Sequence, residues 1–186
     1  MSLNPHDILK QCLGAYQTLL EQRDWEEPLL RVADMLQLVR QGKQRIYVAG
    51  NGGSAANASH LTLHLQETGV EAVDLMAQTP LLTALSNDHG YEDALTQQLV
   101  LLGKDGDGLV VFTVSGLSPN IVSVIRTAKV LQMTTAGFVG RDGNAVGPYC
   151  DQLVLCHTAE YSPVEDFHSF CIHVLKRLLT NRSYQC

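Results

Sequence analysis

Between residues 4 and 42 the apolar side chains Ile8, Leu9, Leu13, Tyr16, Leu19 and Leu20, and then Leu29, Leu30, Val32, Ala33, Leu36 and Val39, recur at helical spacing. The pattern predicts two helices. Asn4-Pro5 is a start signal, Pro28 fits the first turn of the second helix, and Gly42 stands where a glycine stop belongs. After residue 42 the texture changes to five short, nearly continuous apolar runs at 45–50, 71–76, 108–114, 134–140 and 151–157. Helical segments at 54–67, 80–86, 91–102, 119–131 and 162–179 alternate with them. Such alternation predicts an α/β fold: a three-layer α/β/α sandwich around a five-stranded parallel sheet, with an N-terminal helical extension. Ligands of such sheets bind at the carboxyl ends of the strands, so chemistry is expected in the loops after residues 50, 114 and 157.

Composition narrows the function. The 186 residues include 13 Lys+Arg against 19 Asp+Glu, a net charge of −6, with 45% hydrophobic and 17% charged residues. One domain over residues 1–186 is expected. The basic residues are scattered singly, which argues against direct nucleic-acid binding and requires any anion to be held by local groups. No apolar stretch approaches the roughly 20 residues of a membrane span, and the first 22 residues lack a signal-peptide layout, so a cytoplasmic protein is expected. Five cysteines (Cys12, Cys150, Cys156, Cys171, Cys186) without C-x-x-C spacing read as buried free thiols.

Two loops carry the candidate chemistry. The first, at 50–57, reads Gly-Asn-Gly-Gly-Ser-Ala-Ala-Asn between a strand and a helix. Its glycines permit tight turning, and Ser54 could cap the helix whose N-terminus attracts anions. It is neither G-x-G-x-x-G nor a Walker loop, so it suits a phosphate or sugar hydroxyls rather than a dinucleotide or triphosphate. By itself it reads first as an ordinary glycine-rich turn with a serine cap. The second loop, Thr113-Val114-Ser115-Gly116-Leu117-Ser118-Pro119, also enters a helix. Capping explains Ser118 and Pro119 there, but not Thr113 and Ser115. His60 and His64 form an i, i+4 pair on one helix face, a spacing that suits packing or shared metal ligation.

The two loops, with Ser86-Asn-Asp-His-Gly-Tyr-Glu92 between them, resemble the SIS (sugar isomerase) domain and, within it, the phosphoheptose isomerases. The resemblance implies an isomerase interconverting aldose and ketose phosphates, with sedoheptulose 7-phosphate as the default substrate. It implies sugar-phosphate binding by Asn51, Gly52, Ser54, Asp88, Thr113, Ser115 and Ser118, and a homotetramer in which residues 1–42 pack between subunits while 43–186 form the core. The stripe of Leu29, Leu36 and Val39 is expected to supply that subunit contact.

The departures matter as much. His64 stands where the family has its catalytic Glu, Glu165 where it has Gln, Val114 where it has a phosphate-loop Thr, and Ser162 where it has Asp. His173 keeps the family's second acid/base position. The catalytic candidates are therefore His173 with Glu165 or His64, and the resemblance implies a zinc site of His60, His64, Glu165 and His173. His168 is assigned to a packing face, His89 and Tyr91 to the surface or an interface, and Trp25 to the space between the N-terminal helices. The segment at 54–60 also resembles the replication-initiator-associating SIS protein, which gives an alternative: a non-enzymatic regulator that binds a protein partner or senses a sugar phosphate.

Overall fold

The computed structural model describes residues 4–183; Cys186 lies outside the described residues. Helices α1 (Pro5–Glu21) and α2 (Glu26–Gln41) precede strand β1 (Arg45–Ala49) and helix α3 (Gly53–Glu67). Then come β2 (Glu71–Asp74), α4 (Thr79–His89), α5 (Tyr91–Leu102), β3 (Gly108–Thr113), α6 (Pro119–Val130), β4 (Thr134–Gly140), β5 (Gln152–Cys156) and α7 (Tyr161–Ser183). Every strand and helix expected from the pattern is present. Helix α4 runs three residues past the expected end, so Asn87, Asp88 and His89 are helical rather than loop.

The strands pair in parallel in the order β2-β1-β3-β4-β5. Strand residues alternate between two cores: Ile46, Val48, Val110 and Phe112 pack under α2, α3 and α7, whereas Tyr47, Leu109 and Val111 pack under α5 and α6. The chain leaves β1 toward opposite edges of the sheet, which places the topological switch between β1 and β3. The crevice at their carboxyl ends is where the two glycine-serine loops meet.

The N-terminal helices divide differently from expectation. Leu29, Leu36 and Val39 of α2 are buried in this chain's own core, so that stripe is satisfied without a partner. Trp25 packs edge-on against Phe167 and Phe170 at 5.5 and 5.7 Å, also within the chain. Helix α1 is different: Leu9 and Leu13 are 61% and 64% exposed, and Tyr16 ties the helix to α7 by donating its hydroxyl to Asp166. Asn4 caps α1 by accepting the His6 N–H at 3.0 Å. Gly42 ends α2 with an ordinary φ of −71°, and Lys43 takes the left-handed turn instead. Among the described residues four cysteines are free thiols; Cys156 and Cys171 are buried as expected, but Cys12 is exposed. No described helix is long and apolar enough to cross a membrane.

Candidate active site and histidine cluster

Gly52 makes the turn from β1 into α3 at a φ of +58°, a conformation that side chains resist. It occupies the N-cap position, so Ser54 lies inside the first turn and is not the cap expected of it. Ser54 is buried, and with Asn51, Gly52 and Gly53 it lines one wall of a 310 Å³ cavity at the switch point. Thr113, Val114, Ser115 and Ser118 line the opposite wall.

The second loop reverses the expected roles of its hydroxyls. Thr113 Oγ1 accepts the Gly116 N–H and Ser115 Oγ accepts the Leu117 N–H, each at 3.2 Å, so these two shape the loop while keeping their own O–H groups to donate. Ser118 sits at the N-cap of α6 but makes no side-chain capping bond. Val114 is buried in the core below. No Lys or Arg is among the residues lining the cavity; two helix N-termini and neutral hydroxyls face it.

Helix α7 supplies the third wall through Tyr161 and Glu165. The Glu165 carboxylate rests so close to Gly53 that a Cβ there would collide with it, and the Asn57 amide holds the Glu165 carbonyl at 2.9 Å. Position 53 thus needs glycine for this approach. Helical side chains tilt toward the N-terminus, which turns Glu165 into the cavity and away from the histidines, eight residues further along α7. Ser162 faces a separate 620 Å³ cavity between α1 and the start of α7. Asp88 is exposed on α4, where it accepts a hydrogen bond from Asn87, and it does not line the switch-point cavity.

Helices α3 and α7 lie side by side and parallel, Gly53 beside Glu165 and His60 beside His173. The ring centroids of His60 and His64 are 4.6 Å apart, those of His60 and His173 4.8 Å, and those of His64 and His173 5.6 Å. One nitrogen from each ring lies within 4.8 Å of the others. Glu165, the expected fourth ligand, does not join this group.

His64 Nδ1 meets Glu67 at 2.8 Å, Glu67 is paired with Lys176 at 2.6 Å, and His64 Nε2 is buried without a hydrogen-bond partner. A carboxylate on one ring nitrogen and an unpartnered second nitrogen are the arrangement of a metal-ligating histidine. Burial, with the neighbouring His64 and His173 rings and Lys176, lowers the His60 pKa, which keeps that imidazole neutral for ligation. Hydrogen bonds from Lys176 and His64 hold Glu67 below the usual carboxylate range. The three imidazoles form a group of ligand atoms that could hold a metal ion.

The other α7 histidine does face packing: His168 is completely buried among Phe112, Phe138 and Phe167. His157 is exposed and pairs with Asp24 at 2.6 Å. Two residues beside the cavity bond to Asn51 without any local sequence signal of that contact. Asn120 exchanges hydrogen bonds with Asn51 at 2.8 and 2.9 Å, and Tyr91 donates to Asn51 at 2.8 Å. The Gly-Tyr signal at 90–91 was visible; its partner 40 residues away was not.

Residues 14–140 match the SIS domain family. The chain is 36% identical over 137 residues to the phosphoheptose isomerase of Burkholderia pseudomallei strain K96243, covering 70% of each. It is 30% identical over 175 residues to that of Helicobacter pylori strain P12, covering 91% of this chain and 86% of that one. The solved phosphoheptose isomerase of Neisseria gonorrhoeae superposes with a TM-score of 0.88 at 26% identity, covering 95% and 96% of the two chains. With the glycine-serine cavity at the switch point, these likenesses make the chain a member of the SIS domain family and, within it, of the phosphoheptose isomerases.

Proposed function

We propose that the chain isomerises an aldose and a ketose phosphate through an enediol, with sedoheptulose 7-phosphate as its substrate. One observation carries the reading: a cavity between two helix N-termini, lined by Ser54, Thr113, Ser115 and Ser118 and by one carboxylate, Glu165. The neutral donors receive the phosphate, with Gly52 opening the α3 turn toward it and Asn51 at the rim. In this reading Glu165, whose backbone carbonyl accepts a hydrogen bond from Asn57 and whose carboxylate lies beside Gly53, takes the proton from the carbon next to the carbonyl and returns it to the neighbouring carbon. His173 moves the second proton between the two oxygens of the enediol. The histidines begin about 10 Å along α3 from Gly53, a span that an open-chain seven-carbon phosphate bridges.

His60, His64 and His173 would hold zinc, which when bound acts as a Lewis acid on a carbonyl or enediolate oxygen. The ligating nitrogens of His64 and His173 are then committed to the metal, so His64 is not the base and the proton transfer assigned to His173 belongs to the metal-free site. The exposed apolar face of α1 supports a homotetramer packed through the N-terminal helices. Unpaired Cys156 and Cys171 accord with a reducing, cytoplasmic setting.

A panel of aldose and ketose phosphates incubated with the protein and followed by NMR tests the activity. Conversion of sedoheptulose 7-phosphate, faster than of shorter sugars, is expected. His64 in place of a carboxylate supports the second reading, a regulator that binds a sugar phosphate without turnover. Tight binding with no conversion of any panel member would select it.

A further inference from the structure

Asn51 is more fully engaged than a direct ligand contact would leave it. Its Oδ1 accepts from Asn120 Nδ2 and from the Tyr91 hydroxyl, both at 2.8 Å, and its Nδ2 donates to Asn120 Oδ1 at 2.9 Å. One N–H remains for a ligand. Three segments meet at this side chain: the loop after β1, the first residue of α5 and the first turn of α6. Gly90, at a φ of +86°, makes the turn from α4 that delivers Tyr91 there. Asn51 and Ser118 also line a second cavity of 490 Å³ on the Tyr91 side, so the amide pair is the partition between the two cavities.

We infer that Tyr91 is a positioning residue: its hydroxyl acts through Asn51 to hold the α3 and α6 N-termini at the spacing that a phosphate requires. The tyrosine lies outside the switch-point cavity and is half exposed, so its ring adds little to the core. The hydroxyl is the part that reaches the loop. This inference rests on the sugar-phosphate reading of the cavity.

Calorimetry with sedoheptulose 7-phosphate on the full chain, its Tyr91→Phe and Asn51→Ala variants and the double variant tests it. One lost hydrogen bond predicts about threefold to tenfold weaker binding for Tyr91→Phe, with the KM raised equally and kcat within about twofold. In the Asn51→Ala background the same change adds nothing, as expected of residues acting in series. Equal weakening in both backgrounds, or none in either, overturns the inference.

Amide hydrogen exchange provides a readout that needs neither ligand nor the Asn51 variant. Ser54 and Ala55 donate to the carbonyls of Asn51 and Gly52, each at 3.0 Å, so loosening of the loop accelerates their exchange. Unchanged exchange in Tyr91→Phe overturns the positioning role. If the unaltered chain binds no sugar phosphate yet Tyr91→Phe accelerates this exchange, the functional reading fails while the strut itself stands.

Discussion

The two ends of the α3–α7 pair use the same parallel helices for opposite chemistry. At the N-terminal end, Gly53 admits the Glu165 carboxylate, and the surrounding donors are hydroxyls and helix N-termini. Two turns further on, the same helices present three imidazoles backed by Glu67 and Lys176. The first end suits an anion and a proton transfer; the second suits a cation. Position along the helix makes the difference: Glu165 and His173 both lie on the face toward α3, but eight residues of α7 rise, about 12 Å, separate them.

The largest expected effect breaks the first end. Glu165→Gln should lower kcat about 10²- to 10⁴-fold, the usual range for a lost general base. Sugar-phosphate affinity should hold or improve, since a carboxylate leaves an anion site. Steady-state kinetics and calorimetry read the two separately. Activity within a few-fold of the unaltered chain would move the base to the histidine end.

Glu67→Gln breaks the second end. Loss of the partner of His64 should weaken zinc binding about 10- to 100-fold, measured by chelator competition, while sugar-phosphate affinity in the cavity stays unchanged. Equal zinc affinity would mean that the imidazoles are packed rather than poised for a metal.

His168 sharpens the comparison because it shares α7 with both ends yet meets neither. Burial pushes its imidazole down from 6.5 to about 3, so the folded chain keeps it neutral. Below about pH 6.5 the unfolded chain takes up a proton that the folded chain does not, until the pH nears 3, so stability falls with acid by about 1.4 kcal/mol per pH unit from this residue. Urea unfolding at pH 7 and pH 5 should show a loss of about 2 kcal/mol from His168. His168→Leu should remove that loss. It should cost little at pH 7, because both ring nitrogens are buried without partners. A pH slope unchanged in the variant would contradict the assignment.

The smallest effect distinguishes the hydroxyls. Ser118→Ala should weaken sugar-phosphate binding about tenfold and leave the melting temperature unchanged, because this serine makes no cap bond. A drop in melting temperature with unaltered affinity would make it an ordinary cap.

The five strands were legible because both faces of the sheet are covered, so each strand reads as a nearly unbroken apolar run. The pattern ends α4 three residues early because this helix buries no residue and its final Asn-Asp-His carries turn-forming chemistry. The cavity walls were visible as glycine and serine, but the capping roles were not. Gly52's positive φ starts α3 one residue early, and nothing local forecasts that Ser118 leaves its cap unmade. His60 and His64 were legible from spacing, whereas the contact with His173 depends on the parallel packing of α3 and α7, which sets His173 beside His60 and leaves Glu165, eight residues earlier, beside Gly53. The Asn51–Asn120 pair spans 69 residues and has no periodic signature.

Deuterium incorporation tests the central claim most directly. In deuterated water the unaltered chain should place deuterium on the carbon next to the carbonyl of sedoheptulose 7-phosphate, and Glu165→Gln should place none in the same time. Isomerisation and incorporation that survive Glu165→Gln undiminished would contradict an enediol route through this carboxylate.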